Sequence, residues 1–136
     1  MDFDFAPTFN RQPSADLIVY GSMFNGNSKP NSEKRCALSC QFSRQITTKM
    51  GWVKGDRVTA KWSHADKSLT FSRVGVDDPD LAYKISFYPP KKKESHARVR
   101  LGCPKEAIKV ILDGKIRATF SFFEATGSTV TFVANA

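Results

Sequence analysis

Apolar and polar positions alternate along much of the chain. Leu38, Cys40 and Phe42 alternate with Ala37, Ser39 and Gln41, which places three apolar groups on one face of a strand. Val58, Ala60 and Trp62 repeat the pattern, and after a polar turn over 63–67, Leu69 and Phe71 read as the hairpin partner. Upstream, Leu17-Ile18-Val19-Tyr20 reads as a strand, followed by Met23, Phe24 and a loop over 25–33 built almost entirely of Asn, Gly, Ser, Lys and Pro. Ser43 is placed to cap a short helix over 44–50, which Gly51 ends. Residues 1–15 show neither period: Phe3, Phe5 and Phe9 lie among Pro7, Asn10 and Pro13. This stretch is expected to be a flexible arm, or an aromatic tail that packs on the domain or a partner.

The second half replays the first. Asp80-Leu81 with Tyr83 and Phe87 answers Asp16-Leu17 with Tyr20 and Phe24, and each is followed by a Lys- and Pro-containing loop ending near Glu33 or Glu94. Val99, Leu101 and Cys103 alternate as Leu38, Cys40 and Phe42 do, and Pro104 stands at a helix start where Ser43 stood. Residues 116–120 are matched to 58–62, and Val130-Thr131-Phe132 to Leu69-Thr70-Phe71. The offset is 61 residues at both ends, with three residues missing near Lys54 and three extra near Thr126. Self-similarity of this kind predicts a repeated supersecondary unit. Hence an arm over 1–15, a first half over 16–76 and a diverged second half over 77–136, together one compact domain.

Composition sharpens this reading. A chain of 136 residues can bury a core without metals or disulfides, and its 11 Phe favour strands. The formal net charge of +8 attracts polyanions, because Lys and Arg neutralising phosphates release condensed counterions. Three cysteines (Cys36, Cys40 and Cys103), a polar start and no apolar run near the roughly 20 residues of a membrane span predict a reduced, cytoplasmic protein with no membrane association.

The stretch 46–58, with Met50-Gly51 at the helix end and Gly55-Asp56 before Val58, resembles the swapped-hairpin (looped-hinge helix) domains of the SpoVT-AbrB regulators. In such a turn Gly supplies a backbone position free of Cβ constraint and Asp bonds nearby amides. The match covers 36–74; the second half carries Asp113-Gly114 instead. The resemblance implies a β-barrel completed by two copies of the unit, so that two halves in one chain form a covalent pseudo-dimer. It also implies DNA binding through Arg and Lys around the strand-to-helix loops, here Arg44 and Lys49, with Lys105 and Lys109 at the related positions.

Other basic residues add to these. Lys91, Lys92 and Lys93 form the densest positive run and are followed by His96, Arg98 and Arg100; Lys29, Lys34 and Arg35 are their counterparts. Two such loops could straddle a duplex, or simply keep an edge strand from aggregating. Arg98 and Arg100 lie opposite Val99 and Leu101 on one strand face, and Arg offers bidentate contacts that Lys cannot. Trp62 and Phe120 are matched hairpin positions that read as core, while Trp52 and Phe122 are open to stacking on bases. Cys36 and Cys40 with His64 and His96 make no four-ligand zinc arrangement, no nucleophile motif or phosphate-cradling glycine loop occurs, and Asp77, Asp78 and Asp80 around Pro79 read as a linker.

The fold expected is therefore mainly β with short helices, a pseudo-two-fold swapped-hairpin-like barrel. The function expected is a non-catalytic nucleic-acid-binding protein without cofactor, an AbrB-like transcriptional or nucleoid-associated regulator of double-stranded DNA, monomeric as a pseudo-dimer or homodimeric. One alternative is a small phage-type interaction module or inhibitor that docks on a host protein or ribonucleoprotein through Phe3, Phe5 and Phe9. Another is a single-stranded nucleic-acid binder.

Overall fold

The structure, a computed structural model, describes residues 15–24, 35–74, 82–88 and 96–135. The first half contributes β1 (Leu17–Phe24), β2 (Arg35–Phe42), α1 (Arg44–Met50), β3 (Arg57–Ser63) and β4 (Ser68–Val74). The second contributes β5 (Tyr83–Lys84), β6 (Ser86–Tyr88), β7 (His96–Cys103), α2 (Lys105–Leu112), β8 (Arg117–Thr126) and β9 (Thr129–Ala134). The arm, the loops over 25–34 and 89–95 and the linker over 75–81 fall outside the described residues, and with them Lys34, Lys91, Lys92 and Lys93.

All strands join one antiparallel sheet in the order β5-β3-β4-β9-β8-β1-β2-β7-β6. Its two edge strands are separated in the chain by Ile85 alone, so one short stretch spans both edges and brings the sheet round to a nearly closed barrel. Near-closure leaves only edge strands of two and three residues, which limits the exposed edges that invite aggregation. Inside lie Leu38, Cys40, Phe42, Val58, Phe71, Phe120, Val130 and Phe132, all buried. Phe42 makes edge contacts with Trp52 (4.8 Å) and Phe71 (4.9 Å), the arrangement favoured by the ring quadrupoles.

The pairings exchange when the halves are exchanged. β1–β2 corresponds to β6–β7, β3–β4 to β8–β9 and β1–β8 to β5–β3, while β2–β7 and β4–β9 map onto themselves. On both self-paired ladders, residues 61 apart face each other: Thr70 faces Thr131, and Ser39 faces Arg100. A pseudo-two-fold line therefore passes through these two pairs, on opposite walls of the barrel.

Register corrects the alignment of β8. Leu69 pairs with Trp62, whereas Val130, 61 residues later, pairs with Ala125. Likewise Val58 pairs with Arg73, and Phe120 with Ala134. The counterpart of Phe120 is thus Val58 rather than Trp62, and no residues are missing near Lys54. The difference is taken up by a bulge between Phe122 and Glu124 and by the hairpin turns, which hold 64–67 in the first half and 127–128 in the second. Ile116, matched to Val58 from sequence, lies before β8 and is 92% exposed. Alternation is unchanged by a shift of two or four residues, so it sets the buried face and leaves register open.

The helices form where their caps dictate. The Ile46 amide donates to Ser43 Oγ at 3.3 Å, and Gly51 ends α1 with φ +65°, as its sequence position predicts. Pro104 stands at the N-cap of α2 without a side-chain bond, and Asp113 takes the left-handed C-cap position with φ +51°. Since β2 and β7 are antiparallel, α1 and α2 leave from opposite ends of that ladder. Thr47 Oγ1 accepts from the Ala97 amide at 3.0 Å, tying α1 to β7. Gly21 admits α2: a Cβ there would stand 3.0 Å from Ile108 Cγ2.

The Gly-Asp turn behaves as its residues require. Asp56 Oδ2 accepts from the Val53 amide at 2.8 Å and lies 3.8 Å from Arg73 Nη1, while Gly55 holds φ +97°. The Asp56 carbonyl accepts from the Ile85 amide, so the turn also holds the residue between β5 and β6.

Candidate nucleic-acid interface

Four strands, β1, β2, β7 and β6, run side by side across one wall of the barrel, and none of them carries an Asp or Glu. With Leu38, Cys40, Val99 and Leu101 turned to the core, alternation sends Tyr20, Gln41, Arg98 and Arg100 outward. Arg100 faces Ser39 on the pseudo-two-fold line, and Arg98 faces Gln41 on one side and Ser86 on the other.

Arg98 is held from several directions. Its Nη2 donates to Tyr20 Oη at 3.0 Å, and Gln41 Nε2 donates to the same hydroxyl oxygen at 3.0 Å. The guanidinium carbon lies 5.2 Å from the centroid of Tyr88, within cation–π range. Ser86 Oγ donates to the Arg98 carbonyl at 3.3 Å. Tyr20 is 78 positions away in sequence, so this contact joins the two halves. Beside it, Ser39, Cys40, Ser86, Arg98, Val99 and Arg100 line a surface depression of about 260 Å³.

The Arg98 charge is felt nearby. Burial, and then Arg98, hold His96 below the ordinary histidine range. Burial pushes the Cys40 thiol well up, so it is not an activated thiolate, and burial, then Cys36, raises that of Cys103.

Of the residues proposed from sequence, the structure brings Arg98 and Arg100 together on this wall. Arg35 opens β2 at the end nearest Cys103. Arg44 and Lys105 are the first residues of α1 and α2, exposed, at opposite ends of the β2–β7 ladder. A positive charge there runs against the helix dipole, so helix stability does not account for either. Lys49 and Lys109 sit in the last turns, where the dipole favours them, and Lys49 Nζ also lies 4.5 Å over the Phe122 ring. β1 ends and β2 begins at one end of this wall, where Phe24 faces Arg35, and β6 ends and β7 begins at the other, where Tyr88 faces His96.

The tryptophans lie elsewhere. Trp52 is buried against Phe42, and Trp62 is half-buried beside Phe120 and His64. Tyr88, 54% exposed, is the aromatic that faces solvent beside Arg98. Tyr20, Gln41 and Tyr88 were not read from sequence as part of a site. The outward position of Tyr20 follows from its alternation with Val19, but its partnership with Arg98 is a product of the fold.

No family model, curated protein or solved structure matches the chain.

Proposed function

We propose that this protein binds nucleic acid without catalysing a reaction, as an AbrB-like regulator of duplex DNA, and that the β1–β2–β7–β6 wall is its contact surface. The observation that carries the reading is the placement of Arg98 and Arg100 beside the pseudo-two-fold line, at the centre of strands that bear no carboxylate. Two guanidinium groups two residues apart on one strand face present a polyanion with two forked donors. Eight-residue strands extend the wall to about 26 Å, comparable with the ~34 Å of a duplex turn.

On this reading the halves 16–76 and 77–136 are a tandem duplication forming a covalent pseudo-dimer. Lys34 and Arg35, in the sequence leading into β2, and Lys91, Lys92 and Lys93, in the sequence between β6 and β7, add phosphate contacts on this reading. Arg44 and Lys105 stand at opposite ends of the β2–β7 ladder, with Lys49 and Lys109 behind them. The Gly-Asp turn at Gly55-Asp56 and the twofold occurrence of the order ββαββ support the AbrB-like assignment.

Fluorescence anisotropy with a mixed-sequence duplex tests it. Affinity is expected to fall by orders of magnitude between about 50 and 200 mM salt, as counterion release from several phosphates requires. Replacing Arg98 and Arg100 together by Ala should weaken binding at both salts. Absence of binding even at the lower salt would remove the nucleic-acid reading.

A further inference from the structure

We propose that the depression beside Arg98 is a phosphate-binding site, in which Arg98 is a prepositioned clamp and Tyr20 its positioning residue. The proposal deepens the nucleic-acid reading, on which it rests for the biological source of the phosphate. The site is built from strand residues of the wall rather than from the strand-to-helix loops that the AbrB resemblance would assign.

Ordering an arginine side chain carries a large entropic cost, because several rotatable bonds must be fixed. Here it is met by three interactions that leave the charge in place: a hydroxyl acceptor from Tyr20, the face of Tyr88, and attachment to a strand whose carbonyl Ser86 holds. The acceptor is neutral, so Arg98 is oriented without being neutralised. Gln41 donates to the same oxygen and so fixes Tyr20 in turn. A guanidinium carries five N–H donors in a planar fork, and the bond to Tyr20 engages one of them. Fixed cations of this kind bind anions with less ordering penalty than flexible ones.

The lining matches the ligand class. Arg98, Arg100, Ser39 and Ser86 line the depression, with Cys40 and Val99 completing it. Guanidinium forks pair with phosphate oxygens in bidentate fashion, and the Ser39 hydroxyl can donate to an oxygen that remains, that of Ser86 being engaged by the Arg98 carbonyl. A volume of about 260 Å³ admits a phosphate group together with part of the sugar that carries it. The strands β1, β2, β6 and β7 carry no acidic residue. Two sources share this chemistry: the backbone of a nucleic acid and a free phosphorylated molecule.

The test is titration of the full chain with inorganic phosphate at constant ionic strength, against chloride, followed by NMR at the guanidinium Nε–H groups and strand amides. Phosphate is expected to shift Arg98, Arg100 and Ser39, and Arg98→Lys should weaken it by about tenfold or more because the fork is lost. Tyr20→Phe removes the acceptor and should broaden the Arg98 Nε–H signal as well as weaken phosphate. The opposite-wall control Lys61→Gln should leave the titration unchanged, and amide spectra report whether each variant keeps the fold. No shift at Arg98, or an equal titration in Arg98→Lys, overturns the site. Competition then identifies the source. Displacement of phosphate by duplex DNA assigns the site to the backbone, and phosphate binding in a protein that ignores DNA assigns it to a free phosphorylated ligand. Duplex binding unaffected by Arg98→Lys, with no phosphate shift, would sink the site and leave the nucleic-acid reading standing.

Discussion

Thr70 and Thr131 join their hydroxyls at 3.0 Å across β4 and β9, so that a residue is bonded to its own counterpart in the other half. Such a bond lies on the pseudo-two-fold line, and Ser72 with Thr129, at 2.9 Å, extends it. The pair is half-buried, and a bond of this kind contributes about 1 kcal/mol net. Thr70→Val and Thr131→Val are each expected to lower stability by about that amount, and the double variant by less than their sum. Urea denaturation of all four proteins measures the coupling; strictly additive losses would mean that the hydroxyls do not act as a pair.

Asp56 holds the turn between α1 and β3 through the Val53 amide, and through its carbonyl the Ile85 amide. Asp56→Ala should lower stability by about 1–2 kcal/mol, since a backbone donor loses its partner. Gly55→Ala places a Cβ at φ +97° and should lower it by about 1 kcal/mol or more, although the space around Gly55 is open. Thermal unfolding of both variants checks this, and an unchanged midpoint for Gly55→Ala would show that the turn relaxes.

His96 binds its proton less readily folded than unfolded, because burial and Arg98 disfavour the imidazolium. The unfolded chain therefore holds more protons as pH falls through the ordinary histidine range, and stability should decline there and be restored above it. His96→Gln should flatten this dependence between about pH 5 and pH 8. Urea midpoints across that window measure it; an identical slope in the variant would exclude His96 as the source.

Cys40 is fully buried, whereas Cys36 and Cys103 are half-buried and directly opposite each other on β2 and β7. Burial also raises the Cys40 thiol far above its ordinary range, which removes the thiolate that alkylating reagents need. Native protein treated with iodoacetamide at neutral pH should be modified at Cys36 and, more slowly, at Cys103, and spared at Cys40, with all three labelled in urea. Peptide mapping decides this, and early labelling of Cys40 would mean that the barrel opens locally.

Much of the fold is legible locally. The limits of α1 follow from Ser43 and Gly51, whose side chain and lack of one satisfy the helix ends whatever surrounds them. The buried faces of β2 and β7 follow from alternation, and so does the shared outward face of Arg98 and Arg100. The offset of 61 predicts which residues face each other on the self-paired ladders, as Thr70 and Thr131 do.

What local pattern could not carry is whatever depends on pairing across the barrel. Phe120 takes the place of Val58 because cross-strand bonds select one register among several that alternation allows equally. Tyr20 meets Arg98 because β1 and β7 flank β2, a consequence of how the chain closes on itself. The sequence by itself determined the strands, their buried faces, the helix caps and the repeat, because these rest on neighbours a few residues apart. Only the tertiary structure decided the register of β8, the closure through Ile85 and the setting of Arg98, because these rest on contacts between residues tens of positions apart.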